Sequence, residues 1–284
     1  MRNICDGIKK HPHPEEARSA VSKDACWSSG MDTLPLKLTV TPLLILAASL
    51  AGRRWGETVA GWLIGLPLTS APVCFFLALD QGVGFAAAVC LGSLAGAASE
   101  AGFGLAYSIV ARRSGWPLAL AAASLGFVVC GIAFAIAAFS LWPLVAIAVA
   151  ALAGALTLMP RLGDGVVTVP RSPHWDIPAR MIVATALVLG LTALAPVVGP
   201  RMSGLLATYP VFAAVLAAFS QYGRGPAAAV RVLRGLLIGL FAFTGFFAVL
   251  ASTIERLGIG PAFAMATLAA LAIQGCSLLL VRPR

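Results

Sequence analysis

Residues 82–115 read GVGFAAAVCLGSLAGAASEAGFGLAYSIVARRSG, and residues 225–258 read GPAAAVRVLRGLLIGLFAFTGFFAVLASTIERLG. Both stretches begin and end on glycine. Glycine also recurs at the same internal steps, 92, 96 and 102 in the first and 235, 239 and 245 in the second. Each is apolar over a length that crosses a hydrocarbon core of about 30 Å as one helix. Working outward, an offset of 143 lays residues 36–115 on 179–258 without a gap and finds 19 identities in 80 positions. Seven are paired glycines, where chance gives about one. Pro67 meets Pro210, and after one inserted residue Pro117 meets Pro261. The chain carries an internal duplication.

Composition sets the solvent. Charged residues are 11% of the 284, hydrophobic residues 60%, and mean hydropathy is +0.93. A water-soluble domain carries about 25% charged residues, so an aqueous fold would expose too much apolar surface. The net charge of +9 does not indicate nucleic acid, because the arginines stand singly or in pairs between apolar runs. His11, His13 and His174 are scattered, and the six cysteines form no Cys-x-x-Cys pair. No metal site, cofactor or disulfide framework is expected.

Apolar runs fall at 36–52, 57–79, 83–110, 117–139, 141–159, 179–197, 200–222, 226–254 and 261–281. The expected fold is an all-α polytopic membrane protein of nine transmembrane helices. It divides into a first four-helix repeat (31–140), a linking helix and loop (141–178), and a second four-helix repeat (179–284). Four crossings return the chain to its starting side, and the fifth reverses the second copy. The plan is a 4+1+4 inverted-topology repeat. Twelve arginines then fall on one face and only Lys37, Arg201 and Arg256 on the other. The positive-inside rule places the C-terminus in the cytoplasm and the N-terminus outside, in a bacterial inner membrane. Residues 1–30 are polar and lack an apolar h-region, so they are no signal peptide. They are expected to be disordered or an over-called extension, with Met31 as the start.

Carriers built from inverted repeats place substrate at mid-depth on helices broken by glycine or proline. Pro67 and Pro210 lie about ten residues into matching spans. As kinks they would free the carbonyls of Leu63 and Leu206. Pro67, Thr69, Ser70 and Pro72 in one half, with Thr208, Tyr209 and Pro210 in the other, are the candidate site. The bland reading is a kink satisfied by a neighbouring helix. Glu100 is the one mid-depth carboxylate in the spans. Placing it there costs roughly 2.5–3.5 kcal/mol on insertion scales. It is the candidate proton- or cation-handling group, set against a structural carboxyl bonded to a neighbouring helix; its repeat mate is Phe243. Gln274 and Gln221 supply amide contacts to the site or, on the bland reading, interhelical or interfacial hydrogen bonds. Arg231 and Arg234 are expected to snorkel to headgroups, Asp80 and Gln81 to sit in a solvated turn, and the Gly92/Gly96 and Gly235/Gly239 pairs to pack helices.

The spacing Gly56-x-x-x-x-Gly61-x-x-x-x-x-Pro67, then Gly82 and the Gly92/Gly96 pair, resembles the small four-span GlpM-type family of bacterial inner-membrane proteins. That resemblance implies two such units fused through a linking span, over about 36–140 and 179–281. The plan is also similar to the drug/metabolite transporter superfamily. That group typically has ten spans, from which nine depart. This second resemblance implies a carrier. No His-Glu-x-x-His or Gly-x-Ser-x-Gly motif supports an intramembrane enzyme. The expected function is a secondary transporter or exporter of a small solute, proton-coupled, with the bilayer as partner and homo-oligomerisation left open. The alternative is a non-transporting assembly or regulatory subunit.

Overall fold

The structure, a computed structural model, describes residues 34–67, 70–137, 139–160, 175, 177–183, 185–186 and 208–281. The proposed boundary at residue 30, Thr69 and Leu206 lie outside the described residues. The chain divides into compact units Met1–Val40 and Thr41–Arg284. Of the first only 34–40 is described, as helix; the helix packing belongs to the second.

The described residues form nine helices and no strand. These are α1 (Leu34–Trp55), α2 (Glu57–Ile64), α3 (Ser70–Gln81), α4 (Val83–Val110), α5 (Trp116–Ala137), α6 (Leu141–Leu158), α7 (Val211–Arg224), α8 (Pro226–Leu257) and α9 (Ile259–Val281). Of these, α4, α5, α6, α8 and α9 are long and apolar enough to cross a membrane, consistent with a helical membrane protein. The junctions α1–α2, α3–α4, α7–α8 and α8–α9 each turn on one glycine at positive φ: Gly56, Gly82, Gly225 and Gly258. A side chain there would be strained. Gly82 (φ 88, ψ 168) and Gly225 (φ 84, ψ 175) adopt the same geometry.

The core is the pair α4 and α8, which run antiparallel. At one end Gly84 of α4 approaches Glu255 of α8, and further along Gly104 packs on Leu237. Each central helix carries its own successor as a hairpin. Gly102 of α4 meets Cys130 of α5, and Gly245 of α8 meets Ile273 of α9. The linking helix α6 lies on both central helices, burying Leu144, Ala148, Leu152 and Ala155 along one stripe. Glycine permits the closest crossing. Gly61 of α2 and Gly65 just after it rest on Val232, Leu236 and Gly239 of α8, while Gly235 meets Thr58 and Trp62. Helices α5 and α9 turn large apolar side chains outward, among them Leu118, Leu125, Ile132, Leu268 and Leu271. They have little polar surface to face water.

Two expectations are corrected by this architecture. The run 57–79 is two helices instead of one kinked span, because Pro67 has no N–H to continue the ladder. Asp80 and Gln81 belong to the last turn of α3, since Gly82 alone makes the turn.

Candidate functional site

Pro67 lies between α2 and α3, and Pro210 immediately precedes α7. After α2 ends, the Leu66 N–H turns back to the Leu63 carbonyl at 3.3 Å, and helix resumes when the Ala71 N–H finds the Pro67 carbonyl at 2.9 Å. In the other half the Ala214 N–H meets the Pro210 carbonyl at 2.9 Å, 143 residues on. The Leu63 carbonyl is therefore not free, as a simple kink would leave it; a tight turn reclaims it. The neighbouring Trp62 carbonyl is taken by the Gln274 amide at 3.2 Å. Trp62 donates its indole N–H to Ser277 at 2.7 Å, and Ser277 donates to the Gln274 carbonyl at 2.8 Å. Gln274 is thus an interhelical clasp at the first break, with its side-chain oxygen left unpartnered. Pro67 is buried and Ser70 half-buried; Pro72 lies in the first turn of α3, where proline is tolerated.

The second break lies against α4. Gly96 meets the Thr208 side chain. Tyr209 stands edge-on to Phe103 and Phe127 at 5.9 and 5.6 Å and shares a 2.7 Å hydrogen bond with Ser124 of α5. Glu100 falls between these contacts, one turn from Gly96 and one from Phe103 and Gly104, on the same face of α4. It is 9% exposed, and no hydrogen bond or ion pair ties it to a described residue. Two turns further, the Tyr107 hydroxyl is buried without a partner, as is the Thr244 hydroxyl of α8. The central pair thus holds unused hydrogen-bonding capacity, at Thr244 within α8 and at Tyr107 in the last turn of α4. The structure sets Thr208 and Tyr209 against α4 and α5, with Glu100 on the same face of α4, and sets Gln274 against Trp62, five residues before Pro67.

Several groups escaped the sequence reading. Arg231 pairs with Glu57 at 3.2 Å, and Arg224 pairs with the same carboxylate at 2.7 Å. Arg234 likewise turns inward and donates to the Met159 carbonyl at 2.8 Å, capping α6. Arg180 is buried, with its guanidinium 5.3 Å from the centre of the Phe219 ring. Gln221 is buried and donates to the Ser114 carbonyl at 2.9 Å, a bond between α7 and the α4–α5 turn of the interhelical kind expected for it. Cys74 and Cys90 bring α3 to α4 with sulfurs 3.9 Å apart. Hydropathy marks none of these pairings, since each joins residues distant in the chain or hidden within an apolar run. Comparison with protein-family models, curated proteins and solved structures finds no match.

Proposed function

We propose that the chain is a secondary carrier or exporter of a small solute, a 4+1+4 inverted repeat in a bacterial inner membrane, with Glu100 handling a proton or cation. The observation that carries this reading is a reciprocal contact. Gly65 at the first break touches Gly239 of α8, and Thr208 at the second touches Gly96 of α4. Residues 65 and 208, like 96 and 239, are repeat mates at the 143-residue offset. Each half thus lays the residue two before its matched proline on the middle of the other half's central helix, which supports a pseudo-two-fold axis. The same offset relates the starts of α4 and α8 and of α5 and α9. The antiparallel course of α4 and α8 fits mates inserted in opposite orientations. In this reading the spans number nine, the N-terminus is outside, and the arginine-rich end is cytoplasmic.

Broken helices at mid-depth present backbone polar groups where a solute can be held. Glu100, beside the second break, exchanges its proton or cation as the halves rock about the axis. The test is proton release from purified protein on addition of candidate solutes, comparing wild type with Glu100→Gln. A solute-dependent signal that disappears in the variant is expected. Silence across a broad panel, with a folded variant, overturns the coupling role. The clasp on the Trp62 carbonyl and the packed ring of Tyr209 favour one other reading, a non-transporting membrane subunit whose breaks only serve packing. Such a subunit gives no solute-dependent signal in either protein.

A further inference from the structure

Gly82 folds α3 back on α4, and the seam of that hairpin is spaced evenly about the turn. Ala78 and Cys74 lie four and eight residues before Gly82, and Ala86 and Cys90 lie four and eight after it. All four are buried, as steps of four on one face of each helix allow. The even spacing puts both thiols at one depth, about 12 Å from the turn at 1.5 Å per residue. Motif reading misses the pair, because sixteen residues separate its members.

The two sulfurs are 3.9 Å apart, and among the described residues their other partner is the Ala86 carbonyl, 4.0 Å from Cys74 Sγ. No cluster of three or more His, Cys, Asp or Glu forms among the described residues. At the matching positions of the proposed second copy stand Ala217 and Leu233, both buried, so packing there does not call for sulfur. Two thiols in contact are a donor set for a soft cation that accepts two ligands. Zinc would find only half the ligands it takes. Two metal–sulfur bonds of about 2.3 Å span about 4.6 Å when straight, so sulfurs at 3.9 Å part by only about 0.7 Å. Charge narrows the choice. An unpaired charge in an apolar seam is costly, and a divalent ion on two thiolates leaves none.

We propose that Cys74 and Cys90 bind mercury(II) as an uncharged, two-coordinate bis-thiolate. Mercuric chloride exchanges both chlorides for the two sulfurs. Two Hg–S bonds form, two Hg–Cl and two S–H bonds break, two protons and two chlorides leave, and no oxidation state changes. The reagent is a neutral molecule and enters an apolar layer, and the seam between the thiols and the turn carries the methyl groups of Ala78 and Ala86. The site lies ten residues from Glu100 along α4 and is independent of the carrier reading.

The test uses the full chain in detergent with Cys5, Cys26, Cys130 and Cys276 replaced by serine, treated with mercuric chloride and then with excess glutathione. One mercury retained per chain is expected, with two sulfur neighbours by X-ray absorption. Adding Cys74→Ser or Cys90→Ser weakens retention by roughly a hundredfold or more, as the loss of a chelate does. Oxidising the pair to a disulfide beforehand blocks binding with both cysteines still in place. Loss of mercury to glutathione from the folded, reduced chain overturns the site. Equal retention by the single-serine variants, or by the oxidised chain, overturns the pairing. Zinc held as tightly as mercury overturns the two-ligand reading.

Discussion

Single residues divide into those whose role is local and those whose partners lie far along the chain. Glu57 belongs to the second kind. It holds Arg224 and Arg231 at the arginine-rich end, with the carboxylate side chain 12% exposed. Glu57→Gln leaves two partly buried cations facing one another, and a loss of about 1–3 kcal/mol is expected by thermal unfolding in detergent. Arg231→Gln, which keeps the shorter Arg224 pair, should cost less. Tyr209→Phe keeps both ring contacts and forfeits only the Ser124 hydrogen bond, so about 1 kcal/mol is expected. Glu100 was legible in the sequence because a carboxylate in an apolar span needs no partner to stand out. The ion triad was not. Glu57 and Arg231 are separated by 174 residues, and hydropathy carries no information about pairing at that range.

Elements were the most legible level. The run read as 83–110 is α4 at Val83–Val110, and 141–159 is α6 at Leu141–Leu158. Apolar length and glycine or proline punctuation are local properties, and they mark helix ends directly. The breaks were half legible. Proline announced the interruption at 67 and the helix start at 210, but the turn that reclaims the Leu63 carbonyl brings Gly65 against α8. A methyl at Gly235 would fall on the Thr58 carbonyl. Gly235→Ala is therefore expected to lower stability by about 1–3 kcal/mol through overpacking. Gly154→Ala on α6, with nothing within 4 Å, should instead gain about 0.5–1 kcal/mol from helix propensity. The same unfolding measurement separates the two. Sulfurs 3.9 Å apart in Cys74 and Cys90 should cross-link under mild oxidation and tie α3 to α4. Mass analysis of an unreduced digest would find the joined peptides.

For the whole molecule, the proposed orientation has a direct check. In a background lacking the six native cysteines, Ser140→Cys should react with a membrane-impermeant maleimide in intact cells. Arg113→Cys should react only after permeabilisation. The reverse pattern would invert the topology. In the proposed duplication, Gly82 and Gly225 match because a turn at positive φ disfavours any side chain, whereas Glu100 and Phe243, at equivalent positions, differ. The linking helix α6 carries one more consequence. In the proposed inverted repeat, an unfused four-helix ancestor would have had to insert both ways up in equal numbers and find an opposed copy by diffusion. With α6 packed on both central helices, the proposed opposed copies would be made in fixed proportion on one polypeptide. Residues useful on only one side of the membrane would then not have to be harmless on the other. A lone acidic group in one copy, and a glycine exchanged for threonine in its mate, are the asymmetries that such a fusion would permit.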